Sequence, residues 1–273
     1  MALFQNTLYL FLVLERFFHE RRYRLNAHAH STFSDGSCTP QEIAAIADAA
    51  RQKNMLVAIT DHNTVRAHEE FASSRILPGV EVKVQEGGVD ILLYAERKRL
   101  LEFFRDMVEP ALDPSDPIYG ATRCKILELV GSAYEAGMQM VIPHYHHTEG
   151  LSVLPSSLQR EVAKFPVAIE LNALLSRSAN AAAKKFARDV RRPLIAAADS
   201  HRPDQYLAAH TSIPLRHDAP PTAENLFHSL YTHPNHCRRH LCEAGLSTRL
   251  LTAWNVLSSA GIVSILRQYF RLN

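Results

Sequence analysis

The strongest constraint on this chain is a repeated unit: a short apolar run, a cluster of ionisable residues where the run gives out, then a stretch with helical spacing. Tyr23 to Ala29 reads as a strand whose end carries Asn26-Ala-His28-Ala-His30-Ser-Thr-Phe-Ser-Asp35-Gly36, and Met55 to Thr60 ends in Asp61-His62-Asn63-Thr64. Ile76 to Val84 contains Glu81 and is joined through Gly87-Gly88 to Val89 to Ala95, which predicts a hairpin. Met138 to Pro143 delivers His144-Tyr-His146-His147, Val167 to Leu171 contains Glu170, and Leu194 to Ala198 delivers Asp199-Ser200-His201. Parallel strands need long crossovers, so this alternation predicts a parallel α/β sheet or barrel. In a barrel the reactive groups gather at the carboxyl ends of the strands, where these polar tips fall.

The helical stretches have recognisable signals. Thr39-Pro40-Gln41-Glu42 opens one, with Thr39 as N-cap, Pro40 at the first helical position and Glu42 three residues after the cap; it is predicted to run to about Lys53. Thr64 is placed to cap the next. Further helices are expected near Arg97 to Val108 and from about Thr122 to Ala136, the latter closed by Gly137. Three parts are expected: residues 1–22 as an N-terminal segment packed on the barrel, 23–220 as the barrel, and 221–273 as a helical tail. The tail is read as helices over Thr222 to Tyr231, His233 to Ala244 and Leu246 to Leu272, the last with an apolar stripe including Leu250, Trp254 and Leu257.

With 273 residues the chain has the length of a single α/β barrel, and 30 basic against 28 acidic residues give no nucleic-acid footprint. The four cysteines form no framework and no secretion signal is evident, so a cytoplasmic location is expected. The apolar run Leu8 to Leu14 is too short to cross a membrane, and membrane association is not expected. Fifteen histidines favour metal chemistry. His28 and His30 are two apart, so in an extended segment both leave the same face and can converge on one ion. Gly36 permits the sharp turn that brings Asp35 back towards them.

Taken together and in order, His28-Ala-His30-Ser-x-x-Ser-Asp35-Gly36, Thr60-Asp61-His62-Asn63-Thr64, Pro78-Gly79-Val80-Glu81, Pro143-His144, Glu170-Leu171-Asn172 and Asp199-Ser200-His201 resemble the PHP family, the polymerase and histidinol phosphatase phosphoesterases. The resemblance covers roughly residues 24–215. It implies a distorted, TIM-like (β/α)7 barrel with two or three divalent ions, zinc, manganese or iron. By this resemblance His28, His30, Glu81 and Asp199 hold a first ion, Asp35, His62 and His201 a third, and Glu81 bridges to a second held also by His144. The family's further histidine at the second ion is replaced here by Asp90, a change that hardens the site towards oxygen-preferring ions.

The activity implied is hydrolysis of phosphate esters, monoesters or nucleotide and oligonucleotide-end diesters, by a metal-bound hydroxide; no protein nucleophile is needed. The alternative is a PHP-type module that keeps the shape as a regulatory or scaffolding domain without turnover. An amidohydrolase also begins its barrel with His-x-His, but the Asp35-Gly36 turn, Asp61-His62 and Asp199-Ser200-His201 count against it. Arg202 and Arg177 are placed to meet phosphate oxygens, and His146 or His147 to supply a proton or join a metal. Lys83 either faces the pocket or lies exposed on the hairpin. No aromatic and basic stripe marks a long nucleic-acid groove, which favours a small phosphorylated substrate, nucleotides included. His233, His236, Cys237, His240 and Cys242 match no common zinc spacing, and Cys38 reads as a small buried residue.

Overall fold

The structure is a computed structural model and describes residues 20–242, 244–245, 247–248, 250–252 and 254. The segment before residue 20 and the expected helix from Leu246 to Leu272 therefore lie wholly or largely outside the described residues. Nine strands form one sheet: β1 (Glu20–Asn26), β2 (Met55–Ile59), β3 (Ile76–Lys83), β4 (Asp90–Tyr94), β5 (Gln139–Ile142), β6 (Val167–Asn172), β7 (Leu194–Ala197), β8 (Ala209–Arg216) and β9 (Arg238–Leu241). Their order is β7-β6-β5-β4-β3-β2-β1-β8-β9. Pairing is parallel across β1, β2 and β3 and again across β5, β6 and β7, while β4 runs antiparallel to both neighbours.

The sheet curls until its two halves nearly meet. Beyond the last residues of β1 and β7, Ala29 and Ser200 form a parallel bridge, with the His30 N–H donating to the Ser200 carbonyl at 2.8 Å. β8 lies antiparallel to β1, and its Thr211 hydroxyl accepts from the Ala196 N–H of β7 at 2.7 Å. The expected (β/α)7 barrel thus appears as a nearly closed α/β barrel with a mixed, nine-stranded sheet. The departure has two causes. The hairpin reverses β4, and β8 with β9 adds an antiparallel edge whose proline and hydroxyl residues gave no strand period in the sequence.

Helices α1 (Pro40–Ala49), α2 (Arg66–Glu70), α3 (Arg97–Phe103), α4 (Ile126–Glu135), α5 (Ser156–Val162), α6 (Arg177–Asp189) and α7 (Ala223–Thr232) cover the sheet and one mouth of the barrel. The capping box at Thr39 and Glu42 forms as its residues require. Thr64 does not act as the side-chain N-cap of α2; that position is Val65. The barrel interior is apolar: Tyr23 and Leu25 of β1 and Ala27 just beyond it pack with alternate residues of β2 to β8 and with Phe227 of α7. Phe227 lies 5.2 Å from the Tyr94 ring, so α7 plugs the mouth opposite the Ala29–Ser200 bridge. The helix expected over His233 to Ala244 is not formed: Arg238–Leu241 is β9, paired antiparallel with β8. Glu20 to Arg22, placed by the sequence in the N-terminal segment, belong to β1.

Candidate metal centre

The polar tips meet at the bridged end of the barrel. The Nε2 atom of His28 is 3.1 Å from that of His30, 3.1 Å from Glu81 Oε2 and 3.5 Å from Asp199 Oδ1. Gly36 lets the chain turn back there; a Cβ on it would lie 2.1 Å from the His30 carbonyl oxygen. Asp35 is thereby brought to 3.2 Å from His201 Nε2, 3.6 Å from His62 Nε2 and 3.5 Å from His30 Nδ1. Glu81 stands between the sets, one oxygen 3.1 Å from His62 Nδ1 and the other 3.1 Å from His144 Nε2. Three groups result whose ligand atoms lie within 4.8 Å of one another: His30, Asp35, His62 and His201; His28, His30 and Asp199; and Glu81, Asp90 and His144.

A layer of polar residues behind these groups fixes their orientation. Glu170 accepts from His28 Nδ1 at 3.0 Å, and its other oxygen accepts from the His144 backbone N–H at 2.6 Å. Asn172 donates from its amide nitrogen to Glu170 and to Asp199 Oδ2, which leaves Asp199 Oδ1 for the cluster. His201 Nδ1 is 2.9 Å from the Asp199 carbonyl, so its Nε2 is the nitrogen presented to Asp35. Asp61 is turned away from the cluster and ties down the first tip through Ser31 and Ser34. Asn63, His144 and Asp199 all have left-handed backbones, with φ of 47°, 26° and 51°. Such conformations cost free energy in non-glycine residues and persist where surrounding bonds dictate them.

Burial pushes His28 down, but Asp199, Glu81 and Glu170 outweigh it and hold its pKa well above the usual histidine value. Against the same burial, Glu81 and Asp35 raise His62 to about 10, Glu81 and Asp90 raise His144 to about 9, and Asp35 with Asp199 raises His201 to about 9. His30 goes the other way, lowered by burial and by His201 and His62. Burial acts to raise Asp35, Glu81 and Asp199, yet the surrounding histidines keep all three well below the carboxylate range.

The donor set fits divalent cations. If His28 Nδ1 carries the proton given to Glu170, its Nε2 lone pair faces His30 Nε2 and carboxylate oxygens from Glu81 and Asp199, an arrangement that one cation satisfies at once. Mixed imidazole and carboxylate donors suit zinc, manganese and iron alike.

Other residues expected at the site fall differently. Lys83 is buried, not exposed on the hairpin; its ammonium bonds Glu149 and lies 3.7 Å from Asp90 Oδ1. Glu149, which no sequence signal marked, thus lines the site. Asp90 is fully buried, both its oxygens lack hydrogen bonds, and burial beside Glu149 and Glu81 lifts it to about 7 despite Lys83 and His144. His146 is exposed and lies 3.3 Å from the Ser152 hydroxyl, whereas His147 turns inward with its ring 5.4 Å from that of His144. Adjacent side chains diverge along the loop, so of the two His147 adjoins the cluster. Arg202 sits beside His201 with its guanidinium on Asp204, and Arg177 is exposed at the first turn of α6. Tyr119, also unmarked by the sequence, comes to 5.8 Å from the His62 ring because Asn63 donates to the Ile118 and Gly120 carbonyls. Cys38 is buried among Ile43, Met55 and Tyr206. His233, His236, Cys237, His240 and Cys242 form no metal-capable group among the described residues.

No protein-family model and no curated protein matches the sequence. Solved structures do match the fold. PsfC from Pseudomonas syringae is 14% identical with a TM-score of 0.61, over 88% of this chain and 98% of that one. A two-domain protein from Bacteroides vulgatus containing a predicted PHP-like metal-dependent phosphoesterase is 16% identical with a TM-score of 0.53, over 86% and 70%. The lesion-specific Endonuclease Q of Pyrococcus furiosus is 15% identical with a TM-score of 0.62 over 80% of this chain, which spans 58% of the endonuclease. The chain thus shares its fold with these proteins, among them one containing a predicted PHP-like metal-dependent phosphoesterase. The PHP resemblance read from the ordered motifs holds at the level of the fold.

Proposed function

We propose that this chain is a PHP-type phosphoesterase that hydrolyses small phosphate esters with divalent ions held at its bridged end. The observation that supports it is the convergence of His28, His30, Asp35, His62, Glu81, His144, Asp199 and His201, from tips far apart in sequence, on one buried patch. His28, His30, Glu81 and Asp199 would hold one ion, and Asp35, His62 and His201 another. Bound ions there would neutralise phosphoryl oxygens and make water a competent nucleophile near neutral pH.

This chain's own residues do the positioning. Glu170 fixes the tautomer of His28, Asn172 fixes Asp199, and the buried apolar plug below keeps bulk water out of the barrel. Arg202 and Arg177 are assigned to the phosphate oxygens of the substrate, and His147, in place of His146, to protonation of the leaving oxygen. A cytoplasmic location is retained as part of the proposal; no helix among the described residues is long and apolar enough to cross a membrane.

The test is metal analysis of the purified protein joined to a screen with p-nitrophenyl phosphate, its bis ester and nucleotides. Bound transition metal with turnover of at least one ester supports the proposal, as does loss of that turnover in His28→Ala and Asp199→Ala proteins that still fold. Tight metal binding with no turnover of any ester would favour the inert-module alternative, and absence of both would end the metal-centre reading.

A further inference from the structure

The three metal-capable groups differ in one respect. At the first two, the ion pairs within 4 Å shown by the structure join histidine to carboxylate. At the third, made of Glu81, Asp90 and His144, a lysine is already present. Lys83 leaves β3 on the same face as Glu81, two residues on, and the antiparallel register sets it directly opposite Asp90. Its side chain is 4% exposed, its ammonium 3.7 Å from Asp90 and bonded to Glu149.

This arrangement is held from several sides. The Asp90 N–H donates to the Glu149 carbonyl at 2.9 Å, which ties the loop after β5 to the start of β4. Gly150 packs so closely that a Cβ would lie 2.3 Å from the His144 carbonyl oxygen, so the backbone carrying Glu149 has one path. The Lys83 N–H donates to Asn63 Oδ1, and the Lys83 carbonyl accepts from the Thr122 N–H and hydroxyl. These bonds fix the Lys83 backbone, while its ammonium is held in the pocket by Glu149 and Asp90. Asp90 accepts no hydrogen bond in its burial, and Lys83 supplies the fixed cation within ion-pair distance of it.

We propose that Lys83 is the resident cation of the pocket formed by Glu81, Asp90 and His144, so that the protein loads two divalent ions, at the other two groups, and none there. A dication in this pocket would stand a few ångströms from a buried ammonium, where low dielectric strengthens their repulsion. Asp90, which the sequence assigns to metal, instead serves as a carboxylate partner of Lys83. The inference rests on the metal-centre reading above.

The experiment counts ions. Full-length protein is loaded with Mn²⁺ or Zn²⁺, freed of excess by gel filtration, and measured by native mass spectrometry and elemental analysis. Two ions per chain are expected, with two also in Asp90→Asn and three in Lys83→Met. Three ions in the unaltered protein, or a fall to fewer than two in Asp90→Asn, overturns the assignment of Lys83 and leaves the metal centre standing. A folded Lys83→Met protein that still holds two overturns it as well. No ion in any form overturns both. Should Lys83→Met fail to fold, the Asp90→Asn count decides alone: two ions there keep the assignment, and fewer than two overturn it.

Discussion

Glu170 meets His28 from behind, on the nitrogen that faces away from the cluster, and the same carboxylate takes the His144 N–H. One residue thereby orients two candidate ligands from different strands. Glu170→Ala is expected to weaken metal affinity by about 10–100-fold, the usual cost of losing a partner behind a liganding histidine. Competition against a chelator measures it, and Glu170→Gln, which keeps an acceptor near Nδ1, should recover part of the loss. The sequence marks Glu170 as a motif member but not its partner, since His28 lies 142 positions away. Lys83 illustrates the limit more sharply. Its alternatives were a pocket or a solvent-facing hairpin, and the choice depends on Glu149, a loop residue whose position no spacing rule predicts.

Among the elements, the loop from His144 to Gly150 carries the most site chemistry in the shortest length. It presents His144 on a left-handed backbone, sends His146 outward and His147 inward, and returns Glu149 to Lys83. Gly150 makes that return possible, because a side chain there would strike the backbone oxygens of His144 and Tyr145 at 2.3 and 2.4 Å. Gly150→Ala is therefore expected to lower the melting temperature and to displace Glu149, seen as a chemical-shift change at the Lys83 ammonium; an unchanged spectrum would show that the loop can shift freely. Elements with strong local signals were legible: the Thr39 capping box, the Gly87-Gly88 hairpin and the apolar runs of β2, β5, β6 and β7 all form. β8 and β9 were not, because β8 pairs with β1 across a long separation and β9 pairs with β8, contacts that outweigh a weak local pattern.

For the whole molecule, the centre makes metal-free protein sensitive to pH. His62, His144 and His201 have folded values of about 10, 9 and 9, above the unfolded histidine value near 6.5. Their contribution to stability is full below about 6.5 and is lost as pH rises through those folded values. Asp35, Glu81 and Asp199 are depressed, so theirs is full above the unfolded carboxylate range, about 4, and is lost as pH falls through the folded values. Metal-free protein should therefore melt at progressively lower temperature from about pH 7 to 10, as scanning calorimetry would show. Metal requires neutral imidazole, so loading at pH 7 should release protons, measurable in weakly buffered solution, and abolish the alkaline decline. A flat alkaline profile in stripped protein would contradict the charge assignment.

The bridge between Ala29 and Ser200 also has a meaning in time. It staples the tip bearing His28 and His30 to the tip bearing Asp199 and His201, with most of the barrel's sequence in between. During synthesis the first histidines emerge long before their aspartate, so a growing chain cannot complete the metal centre until β7 has left the ribosome. An ion held there as proposed would then be captured late, after the strands from β1 to β7 have been made.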